Sequence, residues 1–321
     1  MNKIGAIENL NKDFVNNLFR KTKKIKSEWP ALEQVGKKKT VCLLFWEPST
    51  RTKLSFEHAA KALGFNVLDF APDQSSIVKG ESFEDTIKTL LALKVDGFVI
   101  RHPEDEISKS IIEMLPDDVF YINAGDGNFA HPTQALLDVF TISENHVDIH
   151  NTKITILGDV DHSRVIPSKL ELLKMLECSD ISFLGPKNLI AQKFAPLYTE
   201  INDNCLSERD FLYVLRVQRE RFKESDRLDE ASFIENFQVN DNFLNKSGFQ
   251  GHIIHPGPMN IGVEITSNVA NSEKSLVLQQ VENGLYLRAA LLSLISQYSL
   301  SGFHDSDCIL IKFKIYLVSI N

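Results

Sequence analysis

Four short segments of this chain place cations, hydroxyls and an imidazole in patterns that could handle an anion and a carbonyl group. Ser49-Thr50-Arg51-Thr52 combines three hydroxyls with a guanidinium, directly after an apolar run and at the start of an amphipathic pattern. At a helix start, free backbone N–H groups and the positive dipole end favour a phosphate, and the guanidinium adds a planar fork. A lone Ser-Thr pair there is more often an ordinary N-cap; the arginine between two threonines points to phosphate. Ser75 to Lys79-Gly80-Glu81 is a polar loop with a cation in its middle, a pattern also common in solvated surface loops. Arg101-His102-Pro103 brings another cation to the end of an apolar run. Gly125-Asp126-Gly127 leads to His131-Pro132-Thr133-Gln134, which sets an imidazole and an amide at a helix start, where the dipole favours neutral histidine. Taken singly, such a histidine is more often a cap or a packing residue.

These segments need rigid elements behind them, and the hydrophobic pattern supplies candidates. Residues 40–45 (TVCLLF) read as a buried strand, followed by a helix burying Leu54, Phe56, Ala59, Ala60 and Leu63 and stopped by Gly64. Residues 66–70, 95–100 and 119–122 read as strands, and 83–93 and 131–142 as helices. A second series has strands at 153–157, 181–184, 211–215 and 252–254, with helices at 163–176 and 276–300. This alternation predicts an α/β fold: two α/β domains with parallel sheets flanked by helices, joined by crossing helices near residues 131–147. The expected division is 1–135, completed by the last helix at about 277–302, then 136–276, and an atypical extension at 303–321. In such sheets ligands sit at the carboxyl ends of strands, where the chemical segments fall.

Composition narrows the classes of function. With 43% hydrophobic and 24% charged residues over 321 positions, the chain has the balance of a globular protein of about two domains. The net charge of -8, from 35 Lys+Arg against 43 Asp+Glu, argues against a basic nucleic-acid surface, so any anion is held by a local cationic cluster. Cys42, Cys178, Cys205 and Cys308 are scattered without zinc spacing, which predicts a reduced, cytoplasmic chain and no metal. The first 26 residues lack the apolar stretch of a secretory signal, and no apolar run reaches membrane-spanning length, so no membrane association is expected. Residues 306–321 alternate Ile311, Phe313, Ile315 and Leu317 with polar positions, predicting an accessory strand or a sticky extension without catalytic role.

Together the segments resemble the aspartate carbamoyltransferases, closely and in order, over roughly residues 40–300. The family's carbamoyl-phosphate signature is matched by Phe45 to Thr52 with Ser55-Phe56-Glu57, and its lysine loop by Ser75 and Lys79-Gly80-Glu81. Arg101 to Pro103 and His131 to Gln134 match two further segments. The later half is matched by Gly158-Asp159-Val160 with His162-Ser163-Arg164-Val165, by Leu215 to Arg221, and by His255-Pro256-Gly257-Pro258. The chain departs from the pattern at Trp46, where the family usually has Phe, and at Pro167 and Ile261, where it usually has Arg.

The resemblance implies carbamoyl transfer from carbamoyl phosphate to L-aspartate, a step of pyrimidine biosynthesis. It implies that Ser49, Thr50, Arg51, Thr52 and Ser75 bind the phosphate with Arg101. Thr52, Arg101 and His131 would stabilise the oxyanion, while Gln134 and the carbonyls of Gly257 and Pro258 take the carbamoyl NH2. Arg164 and Arg216, the latter oriented by Gln218, would hold the two aspartate carboxylates, with Lys79 bridging both substrates. The amine is the nucleophile and the departing phosphate can take its proton, so neither metal nor organic cofactor is required. The resemblance further implies a homotrimer with shared active sites, Ser75 and Lys79 acting in a neighbour's site. A regulatory chain, a dihydroorotase or neither could join it, and the sequence leaves that open.

Three other readings compete. A sister enzyme acting on ornithine would show His-Cys-Leu-Pro and Asp-x-x-x-Ser-Met-Gly, where this chain has His255-Pro256-Gly257-Pro258 and Arg216-Val217-Gln218. Two arginines would also repel an ornithine ammonium. A dinucleotide-dependent oxidoreductase would need G-x-G-x-x-G after its first strand, which this chain lacks. A catalytically impaired structural homologue is favoured only by the departures and the tail.

Overall fold

The structure, a computed structural model, describes residues 2–72, 75–146, 148–222 and 228–298. They fall into two compact units, the first comprising residues 2–9, 14–126 and 285–298, the second residues 10–13 and 127–284.

Unit 1 contains β1 (Lys3–Ile4), most of α1 (Lys12–Glu28), β2 (Thr40–Phe45), α2 (Thr50–Ala62), β3 (Asn66–Phe70), α3 (Phe83–Ala92), β4 (Gly97–His102), α4 (Ile107–Met114) and β5 (Phe120–Asp126). Its five strands are all parallel, in the order β1-β5-β4-β2-β3. On one side, Cys42, Leu44, Phe98, Ile100 and Tyr121 build a core with Ile87 and Leu90 of α3 and Ile111 of α4. The intervening Val41, Leu43 and Val99 are also fully buried, so both sheet faces are covered and the strands read as continuous apolar runs. α2 buries Phe56, Ala59 and Ala60, but Leu54 is 58% exposed, contrary to the sequence expectation. Two residues before Phe56 on a helix, Leu54 faces away from it.

Unit 2 contains α5 (Pro132–Asn145), β6 (Ile154–Leu157), α6 (Val165–Met175), β7 (Ile181–Leu184), β8 (Phe211–Val214), α7 (Glu230–Phe237), α8 (Asp241–Ser247), β9 (His252–Ile254) and α9 (Ser267–Ala270). Its sheet is again parallel, in the order β7-β6-β8-β9. Leu157, Leu184, Leu212, Val214 and Ile253 pack with Phe243 and Leu244 of α8. Every residue of α5 from Pro132 to Ile142 is buried, its polar Thr133, Gln134, Asp138 and Thr141 included. Pro167 is the third residue of α6, within the first turn, where a helix tolerates proline.

The last helix, α10 (Val277–Tyr298), begins in unit 2, and its residues from Leu285 onward belong to unit 1. There the Arg288 guanidinium lies 5.3 Å over the Phe56 ring and donates to Ser55 Oγ at 2.9 Å. Lys39 Nζ donates to the Ser296 carbonyl. Among the described residues no helix is long and apolar enough to cross a membrane. The expected strand or extension at 306–321 lies outside the described residues, as does Cys308; Cys42, Cys178 and Cys205 are free thiols.

Both sheets have one place where the chain reverses its direction of travel. In unit 1, β2 is followed by β3 on one side, and β4 then pairs on the other side of β2. In unit 2, β6 is followed by β7 on one side and flanked on the other by β8. At such reversals the connections from the two adjacent strands lead in opposite directions and leave a crevice at the carboxyl ends. The reversals lie after β2 and β4, and after β6 and β8.

Candidate active site

In unit 1, β2 ends at Phe45, and Trp46-Glu47-Pro48 leads into α2. Ser49 is the N-cap of α2 in extended conformation, yet its hydroxyl makes no capping hydrogen bond. Other N-caps do: Ser82 accepts from the Asp85 amide, Asp229 from that of Ser232 and Asn240 from that of Phe243. Of the helices opening after the sheet reversals, α2 at Ser49 and α6 at Arg164 both lack a side-chain cap; so do α5 at His131 and α4 at Glu106. The first N–H groups of α2 are thus left without a side-chain acceptor, which suits them to an incoming anion. Thr52 is buried at 4% exposure within the first turn.

Arg101 stands inside β4, near its carboxyl end, and not beyond the strand as residues 95–100 would predict. Between Ile100 and His102 the pairing with β5 shifts: Ile100 opposes Asn123 while His102 opposes Asp126. This bulge in β5 lets the Arg101 guanidinium reach the Ala124 carbonyl at 3.4 Å. Glu47 pairs with the same guanidinium at 3.2 Å, and the Trp46 amide donates to the Arg101 carbonyl at 2.9 Å. Trp46 packs at 5.1 Å from Phe83 and 5.3 Å from His102, ring centre to ring centre. Its extra ring fills the edge of the core, and burial holds the His102 pKa below its ordinary value. The Trp46 departure is thus absorbed by packing.

Ser75 caps a 3-10 turn at Ser76–Lys79, accepting from the Ile77 amide and donating to the Pro72 carbonyl at 2.7 Å. Gly80, at φ +95, closes that turn. Lys79 is exposed, and among the described residues no side-chain hydrogen bond or ion pair joins it to Ser49, Thr52 or Arg101.

In unit 2, Gly158 follows β6 at φ +116, and a Cβ there would lie 2.7 Å from the Leu215 carbonyl oxygen. Only glycine lets the β6 and β8 ends run so close. Asp159, fully buried, then braces both post-strand loops. One carboxylate oxygen contacts His162 Nδ1 at 2.7 Å and the other accepts the Gln218 amide at 3.0 Å. Burial raises the Asp159 pKa, and these hydrogen bonds pull it back. Gln218 Nε2 donates to the His162 carbonyl at 3.0 Å. Arg164 and Arg221 both donate to the Gly127 carbonyl, at 2.9 and 3.4 Å. Arg216, half-buried, is carried on the loop that Gln218 fastens.

His131, 5% exposed, donates its amide to Ser168 Oγ at 3.1 Å. Gln134 donates to Asp138 Oδ1 at 2.9 Å. The loop after β9 carries the cis Gly257–Pro258 bond, and the Gly257 amide donates to His255 Nδ1 at 2.8 Å. That leaves His255 Nε2 to face the buried Glu264 at 3.3 Å. Ile261 is 50% exposed. Among the described residues, no three His, Cys, Asp or Glu side chains gather as a metal site.

Each unit therefore groups part of the predicted set: Ser49, Thr50, Arg51, Thr52 and Arg101 at one reversal, Arg164, Arg216 and Gln218 at the other. Asp159, His162 and Arg221 stand in recognised motifs, but their bracing role was not read from sequence. Asp138 stands four residues after Gln134 on one helix, a spacing that brings the two side chains together.

This architecture matches two family models: the aspartate/ornithine carbamoyltransferase carbamoyl-P binding domain over residues 3–144 and the Asp/Orn binding domain of the same family over residues 150–295. The chain belongs to the aspartate/ornithine carbamoyltransferase family. Among its relatives, the aspartate carbamoyltransferase catalytic subunit of Legionella pneumophila (strain Paris) is 42% identical, covering 78% of this chain and 84% of its own. That of Xanthomonas campestris pv. campestris (strain B100) is 40% identical, covering 82% and 86%. Among solved structures, the catalytic subunit of M. jannaschii aspartate transcarbamoylase is similar with a TM-score of 0.80 at 29% identity, covering 92% of this chain and 98% of its own. The Trypanosoma cruzi aspartate transcarbamoylase in complex with carbamoyl phosphate gives a TM-score of 0.81 at 26% identity, covering 92% and 95%.

Proposed function

We propose that this chain transfers the carbamoyl group of carbamoyl phosphate to the amino group of L-aspartate, giving N-carbamoyl-L-aspartate and phosphate. The observation that carries the choice of acceptor is the pair Arg164 and Arg216 on the two loops of the unit 2 reversal, with Gln218 fastening the second. Two guanidiniums suit two carboxylates and oppose a cationic amino acid. The names of the relatives support the same reading.

Unit 1 would hold the phosphate on the α2 N–H groups, Ser49, Thr50, Arg51 and Thr52. The aspartate amine attacks the carbamoyl carbon, and oxyanion charge is met by Thr52, Arg101 and His131. The C–N bond forms as the C–O bond to phosphate breaks, and the departing phosphate accepts the amine proton. Rate enhancement comes from orientation and fixed charge, without a covalent intermediate on the protein. The free thiols support a reducing, cytoplasmic setting for this chemistry.

The deciding experiment is a colorimetric ureido assay with L-aspartate and L-ornithine in parallel. Product with aspartate alone is expected. Product with ornithine alone would move the chain to the sister activity. Saturable binding of a bisubstrate phosphonate without product in either arm would make it a binder.

The working unit in this reading is a homotrimer, Ser75 and Lys79 serving a neighbouring chain's site. The exposure of Lys79 at the end of a closed turn supports this. Mixing Lys79→Ala with His131→Ala chains, each inactive alone, is expected to restore activity after dissociation and reassembly, in proportion to mixed trimers. Inactive hybrids, verified by charge-tagged electrophoresis, would return Lys79 to its own chain.

A further inference from the structure

Beneath Gln134 lies a buried polar network that the reaction scheme does not use. Asp138 is fully buried and receives Gln134 Nε2 and Gln280 Nε2 on Oδ1, at 2.9 and 2.7 Å. On Oδ2 it receives the Tyr213 hydroxyl at 2.7 Å and faces Lys169 Nζ at 2.9 Å. The Lys169 contact is an ion pair, with the ammonium seated over the Tyr213 ring. All of these groups belong to unit 2.

The network has a direction. A carboxylate only accepts, so each glutamine must offer its NH2 to Asp138. For Gln280 the same orientation is set independently: its Oε1 accepts the His255 backbone amide at 2.8 Å, and a backbone N–H can only donate. For Gln134, the carboxylate alone decides which end of an otherwise nearly symmetrical amide faces which way. Lys169 and Tyr213 keep Asp138 a fixed acceptor, since a buried carboxylate is costly unless paired and hydrogen-bonded.

We propose that Asp138, held by Lys169, Tyr213 and Gln280, is a positioning residue that locks Gln134 with its Oε1 free as an acceptor. On the carbamoyl-phosphate reading, from which this follows, that lock favours an acyl phosphate bearing NH2 over one bearing CH3. A glutamine free to flip would present its own NH2 to the carbamoyl NH2 half of the time and lose that preference. A site committed to accepting an N–H discriminates strongly against the analogue lacking it. The same carboxylate, through Gln280, ties the His255 loop to Gln134.

The test compares carbamoyl phosphate with acetyl phosphate, which replaces the NH2 by a methyl group. Carbamoyl-phosphate KM and kcat, and the acetyl phosphate inhibition constant, are measured for the wild type and for Asp138→Asn. Asparagine keeps the shape but can turn its own NH2 to Gln134. A rise of about tenfold or more in carbamoyl-phosphate KM is expected, with acetyl phosphate inhibition changed less than about threefold. Equal losses for both ligands would mean a merely structural role and overturn the proposal, as would no change in either. Because Asp138→Asn leaves Lys169 uncompensated, the Asp138→Asn/Lys169→Met pair removes both charges together, and the same loss of discrimination is expected. A readout needing no variant is amide exchange in 15N-glutamine-labelled wild type: slow exchange of the Gln134 side-chain NH2 is expected, and solvent-like exchange would overturn the lock. A wild type without carbamoyl transfer would instead refute the functional reading, leaving the exchange result to judge the lock.

Discussion

At the reversal in unit 1, Ser49 leaves α2 without a side-chain cap, and Arg101 pairs with Glu47. At the reversal in unit 2, Asp159 ties two loops together, Gln218 clasps His162, and Arg164 and Arg221 share one carbonyl. The two crevices occupy equivalent places in similar sheets, yet one opens on an uncapped helix and the other is braced by side-chain hydrogen bonds between its loops. The difference follows from what carries the functional groups. A strand running into a helix is stiff, so its amides can stay unsatisfied for a ligand. The loops after β6 and β8 are irregular and need side-chain bracing before a guanidinium can hold one pose.

Removing the cation of the unit 1 crevice tests the comparison most severely. Arg101→Ala is expected to lower kcat about 1,000-fold, as loss of an oxyanion donor does, with little change in melting temperature. A fall below tenfold in steady-state kinetics would show that unit 1 does not carry the oxyanion charge.

In the braced crevice, Arg216→Ala is expected to cost about 100-fold in kcat/KM for aspartate. Carbamoyl-phosphate affinity, read by calorimetry, is expected to stay the same. Equal loss of both affinities would erase the division of labour between the crevices.

Ser49 and Ser82 sharpen the contrast within one unit. Ser82→Ala, which removes a working cap, is expected to lower stability by about 1 kcal/mol and leave kinetics unchanged. Ser49→Ala is expected to raise the carbamoyl-phosphate KM about tenfold and leave the urea midpoint where it was. The reverse outcome would make Ser49 an ordinary cap.

A pH dependence of stability is expected from Lys169, whose pKa burial lowers from 10.5 to about 8, with Asp138 pulling it back up. Above about pH 8 the unfolded chain binds more protons than the folded one at this group, so its contribution to stability rises with pH toward 10.5; below pH 8 the burial penalty is present in full. Urea midpoints at pH 7 and 9.5 are expected to show this gain in the wild type, relative to the Asp138→Asn/Lys169→Met variant. Parallel pH dependence in the two would remove it.

Strands at 40–45, 181–184 and 252–254 were legible because buried parallel strands are continuous apolar runs. The apolar run points to a strand from Val95, but the strand is Gly97–His102, since Val95 is apolar and buried without being in the ladder. α1 went unread: its buried Phe14, Leu18, Thr22 and Ile25 keep helical spacing, but lysines dominate the composition. Ser49, Arg101 and Arg216 could be found because each follows or ends a strand and bears a chemical group rare in cores. The Asp138 network could not, because Tyr213, Lys169 and Gln280 are distant in sequence and meet only when the sheet and its helices are packed.

The far half of α10 has a consequence in time. The ribosome delivers residues 1–126 first, but Arg288 reaches Ser55 and Phe56, and Ser296 reaches Lys39, only after the whole of unit 2 has been made. The unit begun first is therefore completed last, and a nascent chain halted before residue 285 carries a first unit whose last helix has not yet been synthesised.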